Sequence, residues 1–315
     1  MSTIQVLAPG LQTSVQDLGR DGYGPIGVSP SGAADPISLR LGNRLVGNDE
    51  GAAGLEMMLL GGTFIFPEGA VVALTGSDFG ATLDNARLEM GISVEVPPGE
   101  TIRLGPTTSG ARCYLCVQGG IAVKRFLGSA STHILSGLGG FEGRPLRKGD
   151  VMRIGTATKT NAFRKRTIAP QASQHLSDRK ILRVTPGPQT DWFPESSLRS
   201  FYAATHRVGE QSNRMGLRLE GPAVTQRDTG QMITEGVSLG AVQVPPGGSP
   251  IILFVEQQTT GGYPKIANVI AADLHRVGQL RPRDEIRFEQ VTFDQARSLL
   301  IEQEQLLASD GLILE

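Results

Sequence analysis

A chain of 315 residues is long enough for one large domain or two medium ones, and folding at this size buries roughly 75% of the unfolded surface, so no staple is required. The formal net charge of −1, from 30 basic and 31 acidic side chains, argues against a general nucleic-acid binder, which shows a basic excess or stripe. No apolar run approaches the roughly 18 residues of a membrane helix, and the 41 glycines and 19 prolines between short apolar runs favour a β-rich protein. Met1-Ser2-Thr3-Ile4-Gln5 opens into a strand pattern rather than a secretory signal, and the only cysteines are Cys113 and Cys116, so a cytoplasmic, reducing setting is expected.

In chain order, Ile4 to Leu7 reads as a short strand. Gly10 to Arg20 is a polar segment bracketed by glycines, and Gly22 to Gly32 is loop. A helix follows: Asp35 caps it, Pro36 fits its first position, Ile37, Leu41 and Leu45 form its apolar stripe, and Gly47 ends it. Short strands are predicted at Thr63 to Phe66, Ala70 to Leu74, Ser93 to Val96, Thr101 to Leu104, Arg112 to Val117 and Val151 to Ile154. From about Thr156 to Lys180 the chain is polar and basic, with Lys159, Arg164, Lys165, Arg166, Arg179 and Lys180. This reads as a linker or peripheral excursion; a phosphate-binding patch is the alternative. A second β series starts at Ile181, and Asp191-Trp192-Phe193 suggests a short helical turn. Ile251 to Val255 reads as a buried strand. Thr292 and Gln295 form a capping box for a last helix, with Phe293, Ala296, Leu299, Leu300 and Leu307 near one face.

The two halves look alike. Leu55-Glu56, Phe64 to Gly69 and Val71 to Gly76 parallel Thr234-Glu235, Val242 to Gly247 and Ile251 to Phe254; each half closes on a strand, Val151 to Ile154 or Glu285 to Phe288. The expectation is two similar β units over 1–160 and 181–290, joined by a basic linker at 161–180 and followed by a helix and tail at 291–315. Short strands between turns suit barrels, which leave few free edges.

Cys113 and Cys116 lie three residues apart in a strand pattern and so face opposite ways, which makes them structural thiols. The four histidines have no ligand spacing, so no metal site is expected. Neither a nucleophile elbow nor a Walker loop is present. The chemistry concentrates at Glu256 to Pro264. Gln258, Thr259 and Thr260 bring an amide and two hydroxyls to a strand end, Gly261 and Gly262 let the backbone turn, and Tyr263 adds an aromatic face with a polar tip. Such a stretch lines a pocket for a small polar or anionic ligand, or is a decorated hairpin turn. Asn213 and Arg214 stand before a strand, and Arg214 offers a planar fork for carboxylate or phosphate. Glu235 is a base or a loop anchor.

Together these blocks resemble the carboxyltransferase-type family that includes the 5-oxoprolinase C subunit, KipA, allophanate hydrolase subunit 2 and the carboxyltransferase region of urea carboxylase. The resemblance rests on Gly10 to Arg20, Gly32 to Asp35, Leu55-Glu56, Asn213 to Gly216, Thr234 to Gly236, Gln258 to Pro264 and Gly278 to Leu280. It implies a mainly β fold of two cyclophilin-like β-barrel units with a few short helices and a C-terminal helix. It also implies a partner like the oxoprolinase B subunit (KipI-like), and for the oxoprolinase one like its A subunit too. The leading expectation is the C subunit of an ATP-dependent 5-oxoprolinase, with ATP handled through the complex. The alternatives are a carboxyltransferase taking carboxybiotin from a partner chain to a small polar amide such as urea, and a KipA-like regulatory protein. In the enzyme readings Thr260, Tyr263 and Glu235 carry catalysis, and Gln258, Thr259, Gly261, Gly262, Asn213 and Arg214 bind substrate, with Gln12, Gln16, Asp17 and Arg20 shaping the opposite wall. Two positions depart from the family pattern. Gln257 replaces a commonly basic residue, and Arg283 stands where Pro-Gly-Asp is usual.

Overall fold

The computed structural model describes residues 2–157, 163–170, 180–227 and 232–315. The basic run is therefore described in part, and Lys159 and Arg179 lie outside the described residues. The chain forms two compact units that interleave in sequence: Met1–Arg20, Ser31–Gln174 and Asp310–Glu315 in the first, Asp21–Pro30 and His175–Ser309 in the second.

The first unit pairs a seven-stranded with a five-stranded antiparallel sheet. Its opening strand, Thr3–Ala8, alternates inward Ile4 and Val6 with outward neighbours, the period of a strand with one face on a core. Ile4, Phe64 and Ile102 from one sheet share a core cluster with Val15, Leu55, Leu74 and Leu115 from the other. The central strand Arg112–Val117 is buried along its whole length. Cys113, Leu115 and Val117 enter that core, whereas Tyr114 and Cys116 face a second cluster with Leu39, Leu45 and Val46. The cysteines thus point to opposite faces as free thiols, and burial pushes the Cys116 thiol up to about 12, so neither is reactive.

The helix covering that second face spans Pro36–Leu45. Asp35 accepts from the Ser38 N–H at 3.0 Å and from the Ser38 hydroxyl at 2.6 Å, satisfying a donor the helix leaves open. Glu56 anchors the approach: it accepts from the Ala34 N–H at 2.8 Å and the Tyr114 hydroxyl at 2.7 Å, with Arg112 at 3.3 Å. Asn43 and Asn48 pin the exit, Asn43 donating to Glu50 and Ala52 carbonyls and Asn48 to that of Val117.

The second unit is a closed seven-stranded barrel in the order Ile181–Pro186, Lys265–Val269, Ala241–Gln243, Ile251–Leu253, Gly216–Glu220, His206–Val208 and Glu285–Gln290. Both units return their late strand to their first. Val151–Ile154 does so antiparallel, pairing Thr3 with Arg153, whereas Glu285–Gln290 runs parallel, pairing Ile181 with Arg287. Among the described residues the first unit is two sheets and the second a single closed barrel.

Several local readings are corrected. Gln12–Gln16, read as a polar segment, is an edge strand of the five-stranded sheet. Glu195–Ala203 and Leu274–Gly278 are helices that the strand reading of the second half passed over. The last helix, Phe293–Ala308, has the expected capping box, and Ala296, Leu299 and Leu300 pack on Ile270, Ala272 and Val291. Phe293 does not join them; at the first helical position it points outward and is 70% exposed.

Arg283, the departure from Pro-Gly-Asp, adopts φ 75°, the left-handed conformation glycine takes freely. Its ion pair with Glu210 is exposed on both sides and offsets little of the strain. Arg283→Gly is expected to raise the stability of the second unit by about 0.5–1 kcal/mol, after the entropy cost of glycine in the unfolded chain. A urea-denaturation midpoint that falls would contradict this.

Candidate functional site

Beyond the strand Ile251–Leu253 the chain turns through Glu256 and Gln257 and returns as Thr260–Gly261, a two-residue strand paired with Glu235–Gly236. Gly261 lies opposite Glu235 and Thr260 opposite Gly236. This small ribbon rims a cavity of about 590 Å³. Gln258, Thr260, Gly261, Gly262 and Tyr263 line it, facing Trp192, Gln226, Met232 and Thr234. Pro246 and Pro264 complete the wall, and none of these side chains carries a formal charge. The volume suits a small molecule, and the surface offers amides, hydroxyls and an aromatic tip rather than a counter-ion.

The glycines act differently from the sequence expectation. Neither Gly261 nor Gly262 has a positive φ, so no unusual turn is needed. Gly261 is required for close approach: a Cβ there would lie 2.5 Å from Gln243 Nε2 and 3.0 Å from Gln258 Nε2. Gln243 is 1% exposed, and its Oε1 accepts from Gln258 Nε2 at 3.3 Å, which orients the Gln258 amide at the cavity edge. Gln243 Nε2 has no hydrogen-bond partner among the described residues.

The other sequence candidates divide. Thr259 is absent from the lining; its carbonyl accepts from the Val237 N–H at 3.1 Å and holds the ribbon. Asn213 folds its Oδ1 onto the Met215 N–H at 2.8 Å, a local turn. Arg214 is buried and ion-paired with buried Glu256 at the root of the rim rather than on the cavity wall. Gln12, Gln16, Asp17 and Arg20 belong to the first unit. There Gln16 donates to Ser14 and to the Thr132 carbonyl. Asp17 accepts from Ser129, Ser131 and the Ala130 N–H, and Arg20 donates to the Ser131 carbonyl while lying over the Phe126 ring. These contacts brace the loop 126–132. Gln12 is half-buried on its strand.

Sequence reading missed Lys265 and Gln189. The Lys265 side chain is 4% exposed and ion-paired with Glu235, which also accepts from Gln189 Nε2 at 2.9 Å. The signal was a lysine opening an apolar strand, Lys265–Val269, since a cation buried there needs a partner. Lys265, and secondarily Gln189, hold the Glu235 carboxyl below its ordinary value of 4.5, so at neutral pH Glu235 is an ionised anchor. Its contribution to stability is complete above the ordinary value and is lost as the pH falls through the lowered one. Because Glu235 is 45% exposed, the effect on total stability is small. In Lys265→Met the carboxyl should titrate back towards 4.5 by carboxyl NMR; an unchanged low value would assign the shift to another cause.

Among the described residues there is no cluster of metal-ligating side chains and no helix long and apolar enough to cross a membrane. The fold and site define a β protein whose second unit is a closed barrel with a polar cavity at a strand end, uncharged among the described residues. The family profile for the carboxyltransferase domain, subdomains A and B, matches residues 26–290, and the chain belongs to that family. It is 36% identical over 293 residues to the 5-oxoprolinase C subunit of Escherichia coli, covering 93% of both chains. It is also 36% identical to urea amidolyase of Saccharomyces cerevisiae, covering 98% of this chain and 18% of that one. The crystal structure of K. lactis urea amidolyase matches it with a TM-score of 0.90 at 33% identity, over 99% of this chain and 21% of that one. The chain therefore spans nearly all of the bacterial relative and about a fifth of the fungal ones.

Proposed function

We propose that this chain is the C subunit of an ATP-dependent 5-oxoprolinase, opening the lactam of 5-oxoproline to glutamate together with partner chains of the A and B types. One observation carries the reading: the end-to-end correspondence with the bacterial protein, 93% of each chain at 36% identity. The cavity is compatible with it. Its amides, hydroxyls and Tyr263 suit a compact, polar amide, and in this reading Gln258, Thr260 and Tyr263 bond a carboxylate or the oxyanion that forms as the ring carbonyl is attacked. An amide is resonance-stabilised, so coupling to ATP is chemically sensible. Among the described residues the lining carries no counter-ion for a triphosphate, so this cavity is read as the seat of the amide rather than of ATP. The test is reconstitution with those cognate partners. 5-Oxoproline-dependent ATP cleavage with matching glutamate release is expected, and its absence from the assembled complex would refute the assignment.

A second reading is favoured by the match to urea amidolyase: transfer of carboxylate from carboxybiotin on a partner chain to urea or a related amide. Here the same neutral cavity would take the amide acceptor. Capture of a biotinylated partner, with labelled carboxylate passing to urea, would select this reading over the first.

A further inference from the structure

Arg164 and Arg166 of the basic run line a second cavity, within the first unit and about 510 Å³ in volume. Arg44, Arg164 and Arg166 line it together with two acidic residues, Asp310 and Glu315, and with Gln118 and Phe163, the last at 39% exposure. The seat is fixed by backbone. Arg166 donates its N–H to Ser93 Oγ at 2.8 Å and accepts from the Ser93 N–H at 2.8 Å. Thr167–Ile168 then pairs with Ile313–Leu314. Gly47, at φ 76°, lets a guanidinium come close: a Cβ there would lie 2.9 Å from Arg166 Nη1.

An oxyanion already sits among these arginines. One carboxylate oxygen of Glu315 accepts from Arg164 Nη1 at 3.1 Å and the other from Arg166 Nε at 3.2 Å. The two guanidiniums, Arg164 first, hold that carboxyl below its ordinary range. Each arginine meets the carboxylate through a single bond rather than a two-pronged fork, an arrangement that suits an acceptor whose oxygens diverge. Arg164 is 72% exposed and Glu315 48% exposed, so water screens the pair and a better anion can replace the carboxylate. Arg44 lines the same cavity and lies 3.9 Å from Glu50.

We propose that this cleft binds a phosphate-bearing small molecule, with the Glu315 carboxylate occupying the phosphate's seat until the ligand displaces it. Phosphate brings more charge and more oxygens than a carboxylate to the seat between Arg164 and Arg166. The exposed Phe163 ring gives the remainder of such a ligand a face to lie against. The site is independent of the amide cavity and of the activity proposed for it.

Pyrophosphate titrated into the full chain tests this by calorimetry. Binding is expected to weaken about tenfold in Arg166→Gln or Arg164→Gln, each removing one charge-assisted bond, and to tighten about threefold or more in Glu315→Gln. Thermal melts establish that each variant is folded. Two results would overturn the proposal: no pyrophosphate binding by either the wild type or Glu315→Gln, or binding that the arginine substitutions leave unchanged. Equal affinity of wild type and Glu315→Gln would overturn the role given to Glu315 and reduce the pair to a tether for its strand.

Discussion

Gly261→Ala is expected to lower kcat/KM of the assembled complex by about tenfold or more, equivalent to about 1.4 kcal/mol of lost transition-state binding. The added Cβ meets Gln243 Nε2 at 2.5 Å, Gln258 Nε2 at 3.0 Å and Val237 Cγ1 at 3.1 Å. Gln243 is 1% exposed in the barrel wall, so its amide end shifts only among buried neighbours. Gln258 is exposed and can move, so the strain is relieved by swinging away the amide that its 3.3 Å bond to Gln243 had aimed. The local cost is about 1–3 kcal/mol, as for other overpacked sites. Gly247→Ala is the matched control, because its Cβ meets nothing within 4 Å and its φ is not positive. Turnover of Gly261→Ala within twofold of wild type would show that the Gln243–Gln258 contact does not organise the cavity.

In the sequence, the Gly-Gly pair suggests backbone freedom, whereas the constraint at Gly261 is a distant neighbour, Gln243, which no local pattern reveals. The strand ladder was legible where one face is apolar, as at Ile4 and Val6. It was illegible at Gln12–Gln16, where Thr13, Ser14 and Gln16 are buried polar groups and Gln16 donates to the distant Thr132 carbonyl. Helix Glu195–Ala203 buries Ser197 and Phe201 one turn apart, too short a stripe to stand out between strands. The stretch 258–263 stands out in the sequence because amides, hydroxyls and glycines gather at a strand end, and Gln258, Thr260, Gly261, Gly262 and Tyr263 of it line the cavity. Of its supports, Lys265 leaves a sequence signal as a lysine opening an apolar strand, whereas Gln189 makes sense only beside Glu235 in three dimensions.

Arg214→Met is expected to destabilise the second unit by roughly 3–5 kcal/mol, because it leaves the Glu256 carboxylate buried without its cation. The Arg214 and Glu256 side chains are 4% and 0% exposed, so water does not replace the lost partner. The pair also roots the rim: Glu256 donates its N–H to the Arg214 carbonyl at 2.8 Å, just ahead of Gln258. A ligand-binding arginine and a root-holding one differ in what their substitutions change. If Arg214 met the substrate, Arg214→Lys would raise KM with the urea midpoint unmoved, since lysine keeps the charge and loses only the planar fork. If it holds the root, the midpoint falls in both variants, further in methionine than in lysine, and kcat declines with it as Gln258 loses its setting. The burial of both partners and the absence of Arg214 from the cavity wall favour the second outcome, and an unshifted midpoint in Arg214→Met would exclude it.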